Sequence, residues 1–145
     1  MPDWVQAGYR EYAVRLPREC ALNLIEIPAG KRSPKADLTR LVRAEGERLL
    51  AAVPAGSRLI ALDERGREWT TVELAEQLAG WLREGRDLSL LVGGPDGLDK
   101  ACRERAEQLW SLSRLTLPHP LVRILVAEQL YRAWSLLHGH PYHRA

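Results

Sequence analysis

The chain is poor in cysteine, carries little net charge and contains no long apolar run. Its two cysteines, Cys20 and Cys102, have neither metal-ligand nor redox spacing, so reduced thiols in a cytoplasmic protein are the simplest interpretation. No apolar segment approaches the roughly 18 residues that a membrane span needs. The N-terminus MPDWVQAGYREY is not a signal-peptide pattern. The net charge of +2 neither requires nor excludes a nucleic-acid partner. We therefore expect a cytoplasmic protein without a membrane partner.

Short apolar segments alternate with segments of helical periodicity along the 145 residues. Strands are predicted at 22–27, at 58–62 before a turn at Asp63–Gly66, and at 88–92, with extended chain at 110–117. Helices are predicted at 1–16, 36–53, from the capping pair Thr70 and Glu73 to Gly85, at 99–108 and at 120–138. This alternation predicts an α/β fold with a mostly parallel sheet, in a single domain covering residues 1–145.

The segment LLVGGPDG at 90–97 is an apolar run that ends in a glycine-rich turn. Loops that follow strands are where α/β folds bind ligands, and Gly93 and Gly94 would let a ligand approach the backbone closely. The spacing is neither that of a P-loop nor that of a dinucleotide fingerprint. Taken alone, an ordinary turn between a strand and a helix is the simpler interpretation.

All four histidines lie between Leu115 and Arg144. Because histidine titrates near neutral pH, this clustering indicates function. Pro118 and Pro120 bracket His119 and fix the backbone that presents it, although a structural loop histidine is the alternative. Farther along, Glu128 lies in an otherwise apolar part of the last helix. An unpaired buried carboxylate is costly, so we expect this one to meet an arginine or a helix N-terminus if it is buried.

The C-terminal tail GHPYHR at 139–144 ends that helix and offers an aromatic ring, an imidazole and a cation. These groups stack on a base, move a proton and hold a phosphate. A frayed terminus is the alternative, since last residues are usually disordered. The histidines have no carboxylate or cysteine at ligand spacing, so we expect no metal.

A basic loop, AGKRSPK at 29–35, is either an ordinary solvated connection or a loop that contacts phosphates. Taken together, the residues discussed so far support a cytoplasmic α/β enzyme that binds a ligand, and no more specific function.

Six motifs, spread over nearly the whole chain, add a resemblance. They are MPDWV, LIEIPAGKR, EGERLL, SLLVGGPDGL, LTLPHPLVRILVAEQLYRAW and HPYHR. The chain resembles the RlmH family, bacterial methyltransferases that act on a pseudouridine of large-subunit ribosomal RNA. Members have the SPOUT fold, an α/β sheet whose C-terminal part forms a trefoil knot, which general topology rules would not have predicted.

The resemblance implies S-adenosyl-L-methionine as methyl donor and a homodimer that uses the long C-terminal helix. The donor would lie among three loops and bind mainly backbone groups. The corresponding residues here are Leu62, Gly93, Gly94, Leu112, Ser113, Arg114, Leu115, Thr116 and Leu117.

The resemblance also implies methylation of N3 of a pseudouridine in 23S rRNA, within the assembled ribosome. The proton on that nitrogen must leave, and His119, Tyr142 and His143 are the candidate bases. Tyr142 and His143 are preferred, with Arg144 and Arg123 holding phosphate or a developing oxyanion. Lys31 and Arg32 would add contacts to the RNA backbone.

Family members usually carry a short apolar strand and a Gly-Lys turn ahead of the MPDWV motif, inside which this chain begins. We therefore expect the natural product to start further upstream.

Two other functions stay open at this point. One is a dimer with the same fold that binds RNA or the ribosome without catalysis. The other is an α/β enzyme for a small metabolite, which no motif supports.

Overall fold

The computed structural model describes residues 1–28, 30–31, 33–35 and 37–143. The chain divides into two compact units, each assembled from separate segments. A helical unit contains residues 1–24, 69–85 and those from 117 onward, and a sheet unit contains residues 25–68 and 86–116. The prediction of a single domain over 1–145 stays a prediction. Within the described ranges, no helix is both long enough and apolar enough to cross a membrane.

The elements alternate between helix and strand, which confirms the predicted α/β class. Their order is α1 (Asp3–Ala13), α2 (Leu38–Ala52), β1 (Arg58–Glu68), α3 (Thr71–Glu84), β2 (Leu88–Val92), α4 (Lys100–Arg105), β3 (Gln108–Ser111) and α5 (His119–Leu137), with a short 3-10 turn at Arg18–Cys20. The three strands form one sheet in the order β2-β1-β3, and both pairings are parallel. The trefoil knot stays a prediction.

The central strand β1 is longer than its sequence pattern predicts. Asp63–Gly66 does not turn the chain away, because β1 continues to Glu68 through an irregularity in its pairing with β3. Gly66 permits this continuation. A Cβ at that position would lie 2.6 Å from the carbonyl carbon of Leu109, so only glycine lets the two backbones come this close. Charged residues followed by glycine are typical of a turn, but here they lie within a continuous strand.

The predicted strand at 22–27 is wrong, since the structure gives this segment no strand. Leu24 is 38% exposed and Ile25 is 65% exposed, so its apolar side chains do not cover a core. The segment carries the chain from the helical unit to the sheet unit. An apolar pattern indicates strand character but cannot supply a neighbouring strand with which to pair.

The sheet unit has its core between β1, β2 and the helices α2 and α4. Three consecutive residues of β1, Leu59, Ile60 and Ala61, are at most 5% exposed. Because successive strand residues point to opposite faces, both faces of this strand are covered. The helices approach each other closely at Gly46, where a Cβ would lie 2.8 Å from Cβ of Asp99.

The helical unit packs α1 and α3 against α5. The predicted capping box at the start of α3 is confirmed, since Thr70 and Glu73 exchange side-chain and backbone hydrogen bonds. Gly85 ends this helix in the left-handed region, with φ 75°, as its position predicts. Gly8 of α1 faces Ile124 of α5, where an added Cβ would lie 2.9 Å from Cδ1 of Ile124.

Replacing Gly66 with alanine should weaken the pairing of β1 with β3. The new Cβ would meet backbone atoms, which cannot rotate away as a side chain can. We expect the free energy of unfolding to fall by about 1–3 kcal/mol, the usual cost of overpacking. Urea denaturation of the Gly66→Ala variant measures this loss.

Gly80→Ala is the matched control, because a Cβ at Gly80 of α3 has no neighbour closer than 3.8 Å. Alanine is the better helix former, so this variant should gain about 0.5–1 kcal/mol. A Gly66→Ala variant as stable as the unsubstituted protein would contradict the close approach of the two strands.

Candidate active site

In the sheet unit, the carboxyl ends of β2 and β3 lie beside Leu62, midway along β1. Leu62 of β1 pairs with Val92 of β2 and also with Trp110 of β3. The segments expected to hold a ligand follow this row directly, at Gly93 after β2 and at Leu112 after β3. The edge formed by the carboxyl ends of parallel strands is where open α/β sheets bind ligands. The fold thus brings Leu62, the glycine turn and the start of the third loop to one edge.

The glycine turn after β2 is compact and held by its own backbone. The amide of Gly97 donates to the carbonyl of Gly94 at 3.0 Å, and Gly97 has a φ of 81°. A Cβ at Gly93 would lie 2.7 Å from the carbonyl carbon of Gly97. The turn therefore requires glycine at Gly93 for its own shape, and it presents backbone groups at the edge of the sheet.

The loop after β3 is fixed by side chains of β1 and by its own serines. Thr116 donates to the carboxylate of Glu64 at 3.4 Å, and Arg114 lies 3.1 Å from the carboxylate of Glu68. Within the loop, the hydroxyl of Ser111 donates to the carbonyl of Ser113 at 2.9 Å. The extension of β1 beyond Leu62, which sequence reasoning missed, is what places Glu64 and Glu68 beside this loop.

A buried carboxylate connects the basic loop to the glycine turn. Glu45 of α2 is only 6% exposed, and its Oε1 accepts a hydrogen bond of 3.0 Å from the amide of Gly30. Its Oε2 lies at the glycine turn, 3.4 Å from where a Cβ on Gly94 would stand. Lys31 is exposed in the same loop, and Arg32 lies outside the described residues. Glu45 occupies the apolar stripe of its helix, and a charged residue at such a position is the signal that could have revealed it.

The C-terminal tail folds back onto α5 in the helical unit. The amide of His140 donates to the carbonyl of Ser135 at 2.9 Å, after a turn in which Gly139 has a φ of 64°. The hydroxyl of Tyr142 reaches the carboxylate of Glu128 at 3.2 Å. These hydrogen bonds hold the tail against α5 as far as Tyr142.

Glu128 meets an arginine, as its position in the apolar part of the helix predicts. Arg132, one turn further along α5, places Nη2 at 2.6 Å and Nε at 2.7 Å from Oε1 of Glu128. The side chain of Gln129 donates to Oε2 of Glu128 at 2.8 Å, and Thr71 of α3 donates to Gln129 at 3.0 Å. The carboxylate is thus fully engaged, which compensates for its partial burial.

The surroundings of Tyr142 favour its protonated hydroxyl. Burial raises the pKa of Tyr142, and the charge of Glu128 and its hydrogen bond raise it further, while Arg132 lowers it. A phenol held in its neutral form is a hydrogen-bond donor and a poor proton acceptor near neutral pH. Of the two preferred tail residues, Tyr142 is therefore the weaker candidate base.

The ring nitrogen Nδ1 distinguishes His143 from the other histidines of the tail. Its Nδ1 is buried and has no hydrogen-bond partner among the described residues. In His138 the same atom lies 2.9 Å from the carbonyl of Trp134, and in His140 it accepts from the amide of Tyr142 at 3.2 Å. A buried polar atom without a partner is uncommon in folded proteins and often marks a functional group. This geometry favours His143 over the other two tail histidines.

The structure does not bring His119 or Arg123 to the tail of the same chain. His119 begins α5, and Arg123 lies one turn later, where its Nη1 is 3.2 Å from the sulfur of Met1. Nine residues of helix, about 14 Å along the axis, separate His119 from Glu128. Arg144 lies outside the described residues. Among the described side chains, no group of three or more histidines, cysteines or carboxylates is arranged to hold a metal ion.

A family model described as "Predicted SPOUT methyltransferase" matches residues 1–143. The chain belongs to the SPOUT methyltransferase family. The predicted resemblance is confirmed, and with it the prediction that the chain is a methyltransferase.

Two curated relatives are similar over almost their full length. The ribosomal RNA large subunit methyltransferase H of Methylococcus capsulatus is 64% identical over 144 residues, which cover 99% of this chain and 93% of the relative. The protein of the same name from Thioalkalivibrio sulfidiphilus is 62% identical over 144 residues, covering 99% of this chain and 92% of the relative.

The raised pKa of Tyr142 predicts how stability depends on pH. The folded-state pKa lies above the ordinary value of 10.0. The stabilisation from the neutral hydroxyl is therefore complete below pH 10 and is lost as the pH rises through the folded-state value. We expect the free energy of unfolding, measured by urea denaturation, to fall above pH 10, and to fall less in Tyr142→Phe. Equal losses in both proteins would contradict the assignment.

Proposed function

We propose that the chain is an S-adenosyl-L-methionine-dependent methyltransferase that methylates N3 of a pseudouridine in 23S rRNA within the ribosome. The observation that carries this proposal is the row Leu62, Val92 and Trp110, because all three predicted donor-binding segments start from it. The names of the two relatives support the large ribosomal subunit as the source of the substrate.

The residues at the edge of the sheet fit a donor bound mainly through backbone groups. Gly93 leaves no room for a side chain, because a Cβ there would collide with Gly97, so the turn offers a ligand mainly its backbone groups. Leu62 and the loop from Leu112 to Leu117 would complete the contacts with the adenosine part. The donor, when bound, supplies a methyl group already activated by a positively charged sulfur. The protein must then mainly align the acceptor nitrogen with the methyl carbon.

The tail supplies the proton chemistry. N3 of pseudouridine carries an imide proton, which must leave as the new N–C bond forms. His143 is proposed as its acceptor, because its buried Nδ1 has no partner among the described residues. Tyr142 is proposed to hold the tail, since its hydroxyl is engaged by Glu128 and its ring lies beneath the guanidinium of Arg132. His119 is the second candidate base, at the other end of α5.

Positive side chains are proposed to bind the RNA backbone. Lys31 is exposed in the loop that Glu45 fixes through Gly30, and Arg32 follows it in the chain. Arg123 and Arg144 are proposed to contact phosphate or a developing oxyanion. These groups would place the acceptor base without reading its sequence.

A homodimer is proposed as the active form. In the helical unit, Leu121 and Leu125 of α5 remain 39% and 38% exposed, and Trp4 of α1 is 59% exposed. Large apolar side chains that stay exposed on neighbouring elements are typical of an interface with a second copy.

The substrate is tested by transfer of labelled methyl from S-adenosylmethionine to ribosomes that lack this modification, followed by nucleoside analysis. We expect label in N3-methylpseudouridine, with more transfer to ribosomes than to naked 23S RNA. In His143→Gln, kcat should fall by roughly 100-fold to 10,000-fold, the contribution of a positioned general base. His138→Gln is the control and should keep its activity, because His138 is engaged by the carbonyl of Trp134.

Label in another nucleoside would contradict the proposed acceptor, and full activity of His143→Gln would contradict the proposed base. RNA binding without any saturable binding of the donor would favour the non-catalytic binding dimer.

Donor binding is tested separately by calorimetry with S-adenosylmethionine. Gly93→Ala forces the glycine turn to open, because its Cβ would meet backbone atoms of Gly97 at 2.7 Å. We expect the affinity for the donor to fall by about tenfold or more, which corresponds to about 1.4 kcal/mol. Gly80→Ala, in α3, should bind the donor normally. Unchanged binding by Gly93→Ala would place the donor elsewhere.

A further inference from the structure

Glu128, to which the proposed function assigns no step, makes a non-local polar contact with the tail. The carboxylate and the Tyr142 hydroxyl lie 14 residues apart in sequence and 3.2 Å apart in space. The side chain of Glu128 is only 13% exposed, and that of its partner Arg132 is 28% exposed. Hydrogen bonds to charged groups are stronger than those between neutral groups, and partial burial protects them from screening by salt.

The ring of Tyr142 also has neighbours. The guanidinium of Arg132 lies 4.9 Å from the ring centroid, and that of Arg15 of α1 lies 5.7 Å from it. The ring of Tyr131, on the same helix, is 4.7 Å away at an angle of 57°. Arginines over an aromatic face and a tilted aromatic pair are both favourable arrangements. Glu128 therefore fixes the end of a side chain whose ring is already surrounded.

We propose that Glu128, together with Arg132, is a positioning residue that anchors the tail through Tyr142 and so sets the place of His143, the next residue in the chain. This inference rests on the proposed function, because it takes His143 to be the proton acceptor. Glu128 transfers no proton itself. Its carboxylate accepts a hydrogen bond from the Tyr142 hydroxyl, and the salt bridge to Arg132 keeps that carboxylate oriented.

The anchor is tested first without any substrate, by amide hydrogen exchange over residues 138–143 in the full-length protein. Glu128→Ala and Tyr142→Phe should both accelerate exchange in the tail by about tenfold or more, because each removes the hydrogen bond between Tyr142 and Glu128. Glu104→Gln is the matched control, since Glu104 makes an exposed ion pair with Lys100 in α4. Unchanged exchange in both Glu128→Ala and Tyr142→Phe would overturn the anchor, whether or not the protein methylates ribosomes.

Steady-state methylation then tests the positioning role. Glu128→Ala and Tyr142→Phe should each lower kcat by roughly 10-fold to 100-fold, the loss expected when a catalytic group is displaced by about an ångström. KM for the donor should stay unchanged in both. The kcat of the double variant should lie within about twofold of the kcat of the less active single variant, because both substitutions break the same contact. Additive losses would overturn the proposal.

A third readout separates positioning from proton transfer. Glu128→Gln keeps the size of the side chain and a carbonyl oxygen for Tyr142, so it also serves if the alanine variant does not fold. The pH profile of kcat should keep its shape in Glu128→Gln, with a lower maximum. A lost or displaced limb would overturn the positioning role, because it would make Glu128 the proton acceptor.

Discussion

The parallel pairing of β1 with strands on both of its sides is the constraint on which the rest of the sheet unit depends. Because the strands run in parallel, the pairing of Leu62 with Val92 and with Trp110 brings the glycine turn and the loop after β3 beside Leu62, although the three are far apart in sequence. The close approach at Gly66 extends this pairing beyond Leu62. A shift in the register of β1 with β2 or β3 would move the glycine turn away from the loop after β3 and disrupt the proposed donor site.

Carboxylates organise both units, although the chemistry proposed for the protein uses none of them. Glu45 ties Gly30 to the glycine turn, and Glu64 contacts the loop after β3. In the helical unit, Glu128 fixes the tail. Glu45 is buried and Glu128 is partly buried, and such carboxylates are stabilising only when their oxygens are hydrogen-bonded, so these two specify the positions of the segments that they contact. Loops held in this way can offer backbone groups to a ligand without rearranging.

Two neighbouring residues of the tail, Tyr142 and His143, are proposed to have different roles. Burial and Glu128 raise the pKa of Tyr142, so its hydroxyl stays neutral and donates the hydrogen bond that holds the tail. His143 keeps a buried nitrogen without a partner among the described residues, which suits a proton acceptor. Two titratable groups in such different surroundings can take different roles at one pH.

The sequence by itself determined the α/β class, the bounds of β2 and the caps of α3, because apolar periodicity, Thr70 with Glu73, and Gly85 are local signals. Its motifs determined the family. The tertiary structure alone decided that Leu22–Ile27 pairs with no strand and that β1 runs on to Glu68, since pairing depends on neighbours that a local pattern does not contain. It also decided that Tyr142 meets Glu128 while His119 stands apart. Sequence spacing cannot predict such contacts, because they depend on where the chain folds back on itself.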